Sequence, residues 1–213
     1  MDIITDPIAI EKKSFEIITE LLGDKPLGSN ASIIKRVIHT TADFDYVDNL
    51  AFSDQVFDRT VRLLKQGNFN IVTDTRMAES GINKRSLEKL GGAIHCFIDS
   101  PDVRQAAQEL KTTRSAAAVD YAVSRVPEPT VFVVGNAPTA LIRLHELIVA
   151  KKCRPKLVIG VPVGFVNVVE SKEMIMNVDV PYIVARGRKG GSNVAAAIVN
   201  AMMYEADARG SNE

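Results

Sequence analysis

Apolar positions in the first third of the chain recur at helical spacing. Phe15, Ile18 and Leu22 share one face of a helix that Asp6 caps, Pro7 opens and Gly23 stops. A second helix starts at Ser29 or Asn30, carries Ile33, Ile34, Val37 and Ile38 inward, and brings His39 to its C-terminal end. A third covers about 54–66, with Val56, Phe57, Thr60, Val61 and Leu64 inward and Gly67 as its stop. The texture then changes. Five short runs, Asn70 to Thr73, Ala93 to Phe97, Thr130 to Val134, Leu157 to Val161 and Tyr182 to Ala185, are apolar nearly throughout. That is the pattern of strands buried on both faces, and each is followed by enough chain for a crossover helix. The expected fold is doubly wound α/β: a five-stranded parallel sheet with helices on both faces and the N-terminal helices added. No repeat, low-complexity tract or linker divides it, so residues 1–213 read as a single domain.

Length and composition agree with that reading. Folding a chain of this size buries roughly 24,000 Å², on the order of 70% of its extended surface, which supports a core without staples. Lys plus Arg and Asp plus Glu both number 26. With no net charge and no basic block, nucleic acid and anionic membrane lose their electrostatic basis as partners. The two cysteines, Cys96 and Cys153, form no CxxC and have no nearby His pair at zinc spacing, which argues against a disulfide scaffold or a structural zinc site. The longest apolar stretch, Leu157 to Val169, is interrupted by Gly160, Pro162, Gly164 and Asn167 and is too short to span a bilayer. The first residues carry Asp2 and Asp6 where a signal peptide needs basic ones, so a cytoplasmic location is expected.

Ligands of such sheets bind beyond the carboxyl ends of the strands. Here those ends read Asp74-Thr75-Arg76, Asp99-Ser100-Pro101, Gly135 to Thr139, Pro162 to Phe165, and Arg186 to Ser192. The last combines three cations, three glycines and a helix start. It suits an anion held by backbone N–H groups, or equally a solvated basic turn with Ser192 as cap. If it is an anion site, the N–H groups of Gly190, Gly191 and Ser192 should face the cavity that contains His39. The chain has no G-x-G-x-x-G, P-loop, G-x-S-x-G or H-E-x-x-H string, so dinucleotide, nucleotide, hydrolase and zincin chemistry lack their fingerprints.

More particular strings follow: KSFEII (Lys13 to Ile18), RVIHTTADFDY (Arg36 to Tyr46), IVTDTRM (Ile71 to Met77), TRSAAA (Thr113 to Ala118), GNAPTAL (Gly135 to Leu141), PVGFVNVVESKE (Pro162 to Glu173) and ARGRKGGS (Ala185 to Ser192). Together, in this order, they resemble the precorrin-8X methylmutases over essentially the whole chain. Only the tail after Tyr204 carries no such signal, and it is expected to fray.

The resemblance implies an isomerase of cobalamin biosynthesis that moves a methyl group from C-11 to C-12 of a corrinoid precursor by a 1,5-sigmatropic shift. It implies no cofactor, a corrinoid substrate and a homodimer with a shared pocket. The catalytic histidine of the family falls on His39, as proton donor or acceptor, because protonating the conjugated macrocycle assists methyl migration. Without the resemblance, a lone histidine ending an amphipathic helix reads as a partner of the helix dipole.

Substrate contacts are expected at Ser14 and Arg36, at Thr75, at Arg114, whose fork suits a carboxylate arm, and at Arg186, Gly190, Gly191 and Ser192. Asp74 divides between a loop cap and an orienting carboxylate. Lys172 divides between an arm contact and a pair with Glu170 or Glu173, while His95 and His145 read as structural. TTADFDY looks closer to the cobalt-handling branch of the family. Two other classes stand beside the isomerase: a non-catalytic corrinoid carrier, and a phosphate- or flavin-binding module built on the Arg186 to Ser192 loop.

Overall fold

A computed structural model of the protein describes residues 3–210, with side chains to Ala208. Helix α1 (Pro7–Leu22) begins as its sequence dictates: the Asp6 carboxylate accepts the Ala9 N–H at 2.8 Å, Pro7 fills the first turn, and Gly23 ends the helix at φ 58°. A single 3₁₀ turn, Gly28–Asn30, leads into α2 (Ala31–Thr41), which closes on Ala42 in the left-handed region. Next come α3 (Tyr46–Asn49), β1 (Leu50–Phe52), α4 (Val56–Gln66), β2 (Phe69–Thr73), α5 (Arg76–Gly81), α6 (Lys84–Lys89) and β3 (Gly92–His95). The chain continues through α7 (Pro101–Glu109), α8 (Arg114–Arg125), β4 (Thr130–Val134), α9 (Pro138–Val149), β5 (Leu157–Gly160), α10 (Val168–Met176), β6 (Tyr182–Ala185) and α11 (Ser192–Gly210).

The sheet has six strands in the order β1-β6-β5-β4-β2-β3. The five expected strands are present and parallel, and the sixth corrects the expectation: β1 pairs antiparallel with β6, Leu50 opposite Ala185 and Phe52 opposite Ile183. Three residues between two helices are too few to show a strand period, and pairing with β6 is what makes them a strand. The edge of the sheet is thereby a strand of only three residues, which leaves a short open row of hydrogen-bonding groups. The tail is a second correction. Helix α11 continues past Tyr204 to Gly210, and residues 211–213 lie outside the described part.

Alternation along the strands divides the core. On one face Val131, Val133, Leu157, Ile159 and Ile183 pack against α1, α2, α4 and α11. On the other, Phe132, Val134, Val158 and Val184 pack against α8, α9 and α10.

Helix α11 is the keystone of the first face, lying against α2, α4, α5 and the sheet. Its buried residues mix alanines (Ala195, Ala196, Ala197, Ala201) with Ile198, Met202 and Met203, and at two points a neighbouring glycine lets it come close. A Cβ on Gly135 would stand 2.7 Å from Ser192 Cα, and one on Gly81 would stand 2.8 Å from Ala196 Cβ. The helix therefore sits against backbone. Gly135→Ala is expected to lower the unfolding free energy by about 1–3 kcal/mol, since the clash is with helix backbone that cannot swing aside; urea denaturation of the variant checks this.

Candidate active site

His39 occupies the last turn of α2, where an amphipathic stripe of Ile33, Ile34, Val37 and Ile38 is buried and the imidazole is left outside. Helix α1 crosses it and supplies two contacts from adjacent residues. Ser14 Oγ lies 2.8 Å from His39 Nδ1, and the Phe15 ring stacks on the imidazole with centroids 5.1 Å apart. One ring nitrogen is thus committed and the ring plane fixed, which leaves Nε2 for other work.

Arg36, one turn earlier on α2, sits between the Phe15 and Tyr204 rings at 4.7 and 5.0 Å, and its Nη1 donates to Glu11 Oε1 at 2.5 Å. Its guanidinium is held in place, with part of its donor set already used by Glu11. Beside this cluster opens a hollow of about 520 Å³ whose walls include Ile10, Ser14, Ile17, His39, Ala42 and Phe44. Its volume lies within the roughly 300–1,000 Å³ typical of ligand sites, and its walls are mostly apolar, with a few polar atoms converging at His39.

A second cluster lies where the strand order reverses, between β2 and β4. This switch point is the usual ligand crevice of doubly wound sheets. Here the protein supplies the anion itself. The Asp74 carboxylate, 7% exposed, accepts the N–H groups of Gly135, Asn136 and Ala137 at 2.8–2.9 Å. Burial pushes its carboxyl up, and the three N–H groups oppose that. Asp74 is therefore a buried clamp on the loop after β4, which decides between the two roles the sequence left open.

Thr75 accepts the Ala78 N–H as cap of α5, and its hydroxyl lies 2.8 Å from Ser192 Oγ at the start of α11. Gly190 and Gly191 hold φ values of 157° and 129°, and a Cβ on Gly190 would meet Val161 O at 2.1 Å. The Gly191 N–H donates to Val161 O at 2.8 Å. Gly190, Gly191 and Ser192 do not line the His39 hollow within one chain, and the Gly191 N–H is already used in seating the loop on β5.

The same loop nevertheless reaches the His39 region by another route. Lys189 Nζ donates to Asp43 and Asp45 at 2.6 Å each, and these residues flank Phe44 in the hollow's wall. The ammonium holds the Asp43 carboxyl below its usual range.

Lys172 meets neither Glu170 nor Glu173. It is fully buried, and its Nζ donates to the carbonyls of Gly187 and Lys189 at 2.8 Å each. Burial pushes its ammonium down to about 8. The signal was in the sequence, because Val168, Ser171, Lys172 and Ile175 form the inward stripe of α10.

Of the remaining expected contacts, Arg114 stands exposed at the first turn of α8, and Arg186 is exposed with its Nε 3.7 Å from Glu173. Neither joins the His39 cluster in one chain. His95 bonds Asn70 at 2.9 Å, and His145 lies on α9 with its Nδ1 buried. Among the described residues no group of three His, Cys, Asp or Glu side chains is placed to hold a metal ion, and no helix is long and apolar enough to cross a membrane.

Fold and site together define a doubly wound α/β protein with an anchored imidazole at the mouth of an apolar hollow and cations on the strand-end loops. Comparison with known proteins makes the class particular. The family model for precorrin-8X methylmutase matches residues 9–205, and the chain belongs to that family. It is 48% identical to the cobalt-precorrin-8 methylmutase of Salmonella typhimurium over 96% of this chain and 98% of that one. It is 38% identical to the precorrin-8X methylmutase of Pseudomonas aeruginosa over 96% and 99%. Its fold superposes on the crystal structure of precorrin-8x methyl mutase from Thermus thermophilus with a TM-score of 0.86 at 36% identity, covering 95% of this chain and 99% of that one. The family's members are isomerases of cobalamin biosynthesis.

Asp74→Ala leaves three backbone N–H groups without their acceptor, and its expected cost is about 3 kcal/mol or more in a chemical denaturation series.

Proposed function

We propose that this chain isomerises a precorrin-8-type corrinoid by moving a methyl group from C-11 to C-12, with His39 as the proton donor and acceptor. The Ser14–His39 hydrogen bond carries the reading. A serine and a stacked phenylalanine fix an otherwise exposed imidazole beside an apolar hollow. Nε2 protonates the ring C side of the macrocycle, the methyl migrates with its bonding pair, and the same nitrogen recovers the proton. No net redox change occurs, so the shift itself calls for no electron carrier.

Carboxylate arms are assigned to the exposed guanidinium groups of Arg114 and Arg186, with Arg36 as the cation nearest His39 along the chain. Thr75, Ser192 and the Gly190 N–H supply further polar contacts at the strand ends. These groups surround a macrocycle only if more than one chain contributes, since the hollow beside His39 is walled by α1, the end of α2 and the segment after it.

The second chain is a copy of this one. Its docking surface includes the apolar residues left in water on one face of α1, Ile10, Ile17 and Leu21 at 46%, 44% and 66% exposure, which also wall the hollow, and Phe165 and Val166 on the loop after β5 at 84% and 77%. Large apolar side chains left in water beside the hollow suit an interface. The cobalt-bearing form is the preferred substrate, supported by TTADFDY and by a higher identity to the Salmonella relative than to the Pseudomonas one. Two free thiols, Cys96 and Cys153, suit a reducing cytoplasm.

Mixing purified protein with cobalt-precorrin-8 should change the visible spectrum as the conjugated system rearranges. In His39→Ala, turnover should fall by roughly 10²- to 10⁴-fold while product binding stays within a few-fold of wild type. Tight product binding without turnover by the wild type would instead identify a corrinoid carrier. Light scattering should give twice the 23.2 kDa chain mass, and Phe165→Ser should shift the protein toward monomer with loss of turnover. A fully active monomer would remove the shared pocket.

A further inference from the structure

A buried lysine is costly unless something requires its donors. Lys172 is fully buried and pairs with no carboxylate among the described residues; its ammonium donates to the carbonyls of Gly187 and Lys189. Those carbonyls belong to the loop between β6 and α11, whose start is also tied by the Arg186 N–H to Asn49 O at 2.8 Å. Arg186, Arg188 and Lys189 are exposed, and Gly187, Gly190 and Gly191 all take positive φ. Two further bonds seat its far side, Gly164 N–H to Arg188 O at 3.2 Å and Gly191 N–H to Val161 O at 2.8 Å.

From this seated loop the Lys189 side chain reaches Asp43 and Asp45, one residue either side of Phe44. Phe44 and Ala42 are walls of the hollow that contains His39. A chain of polar contacts therefore runs from the interior of α10, through the loop backbone, to the rim of the hollow, with every step at hydrogen-bond distance.

We infer that Lys172 is a positioning residue for the isomerase: by holding the Gly187 and Lys189 carbonyls it aims the Lys189 ammonium at Asp43 and Asp45 and so sets the Ala42–Phe44 wall against which the corrinoid lies beside His39. Lys172 does not touch the substrate. The loop needs such a strut because its glycines allow many backbone conformations, and two donors from a buried, immobile stem select one. Arg186, Arg188 and Lys189 are the charged groups on the loop, Arg186 paired with Glu173 of α10, and Asp43 and Asp45 are those on the segment it meets. The inference rests on the reading of His39 above for its consequence in catalysis, but the strut itself is tested without it.

Lys172→Met keeps the length and apolar stem and removes both donors. Lys189→Ala breaks the same path at the surface, where folding is not at risk. Trypsin reads the loop directly, because Arg186, Arg188 and Lys189 are its cleavage sites; fragment masses report nicking at 186–189. Both variants should be nicked after Arg186 and Arg188, the two sites that every variant retains, at least tenfold faster than wild type while still unfolding cooperatively. Both should lose about tenfold in kcat/KM on the corrinoid, and the double variant should fall no more than twofold below the weaker single one, since the two residues act through one path. Nicking or kcat/KM within twofold of wild type in Lys189→Ala, or losses that multiply in the double variant, would overturn the proposal. A wild type without isomerase activity would sink the reading of His39 alone, and the nicking rates would still decide the strut.

Discussion

The close approach of α11 to the sheet is the constraint from which the placement of the site follows. An ordinary side chain at Gly135 would push the helix start away, and one at Gly81 would push against Ala196. Because glycine and alanine occupy these positions, α11 lies low on the sheet, and α2 packs on α11. Helix α2 then presents its last turn at the strand-end edge, and His39 is carried there by a helix whose inward stripe is fully committed to the core. The imidazole gains a defined orientation only when α1 crosses and adds Ser14 and Phe15.

Charge is placed with similar economy. A chain with no net charge still concentrates Arg186, Arg188 and Lys189 on one loop beyond β6. The crevice between β2 and β4, where a doubly wound fold ordinarily receives its ligand, is filled by the protein's own carboxylate, Asp74, bonded to three N–H groups. In the proposed reading, the acid–base chemistry lies instead on the side where α1, α2 and the β6–α11 loop meet. A large, flat, many-armed molecule suits that broader surface better than a narrow crevice does.

Buried polar groups in this protein mostly organise backbone. Asp74 accepts from a loop, Lys172 donates to another, and the Thr75–Ser192 pair ties the starts of α5 and α11 together. Each acts where a glycine-bearing strand-end loop would otherwise choose among several conformations. The free energy of desolvating these groups is offset by the order they impose on segments that carry the site.

Period and run length determined much of this molecule directly. The caps at Asp6, Gly23 and Gly67, the inward stripes of α1, α2 and α4, and the five continuous apolar runs are local patterns, and local sterics and burial suffice to convert them into helices and parallel strands. The strings around His39 and Ser14 identified the family for the same reason, since they are contiguous in the chain. Tertiary structure alone decided what depends on partners distant in sequence. Strand β1 exists because β6 offers an edge more than a hundred residues away. Asp74 became a clamp because the Gly135–Ala137 N–H groups come to it, the Gly191 N–H found its acceptor in Val161 O, and Lys172 acquired two carbonyl acceptors on a loop that its own helix does not contain. Backbone donors and acceptors are the same at every residue, so no side-chain pattern announces which of them a folded chain will bring to a buried charge.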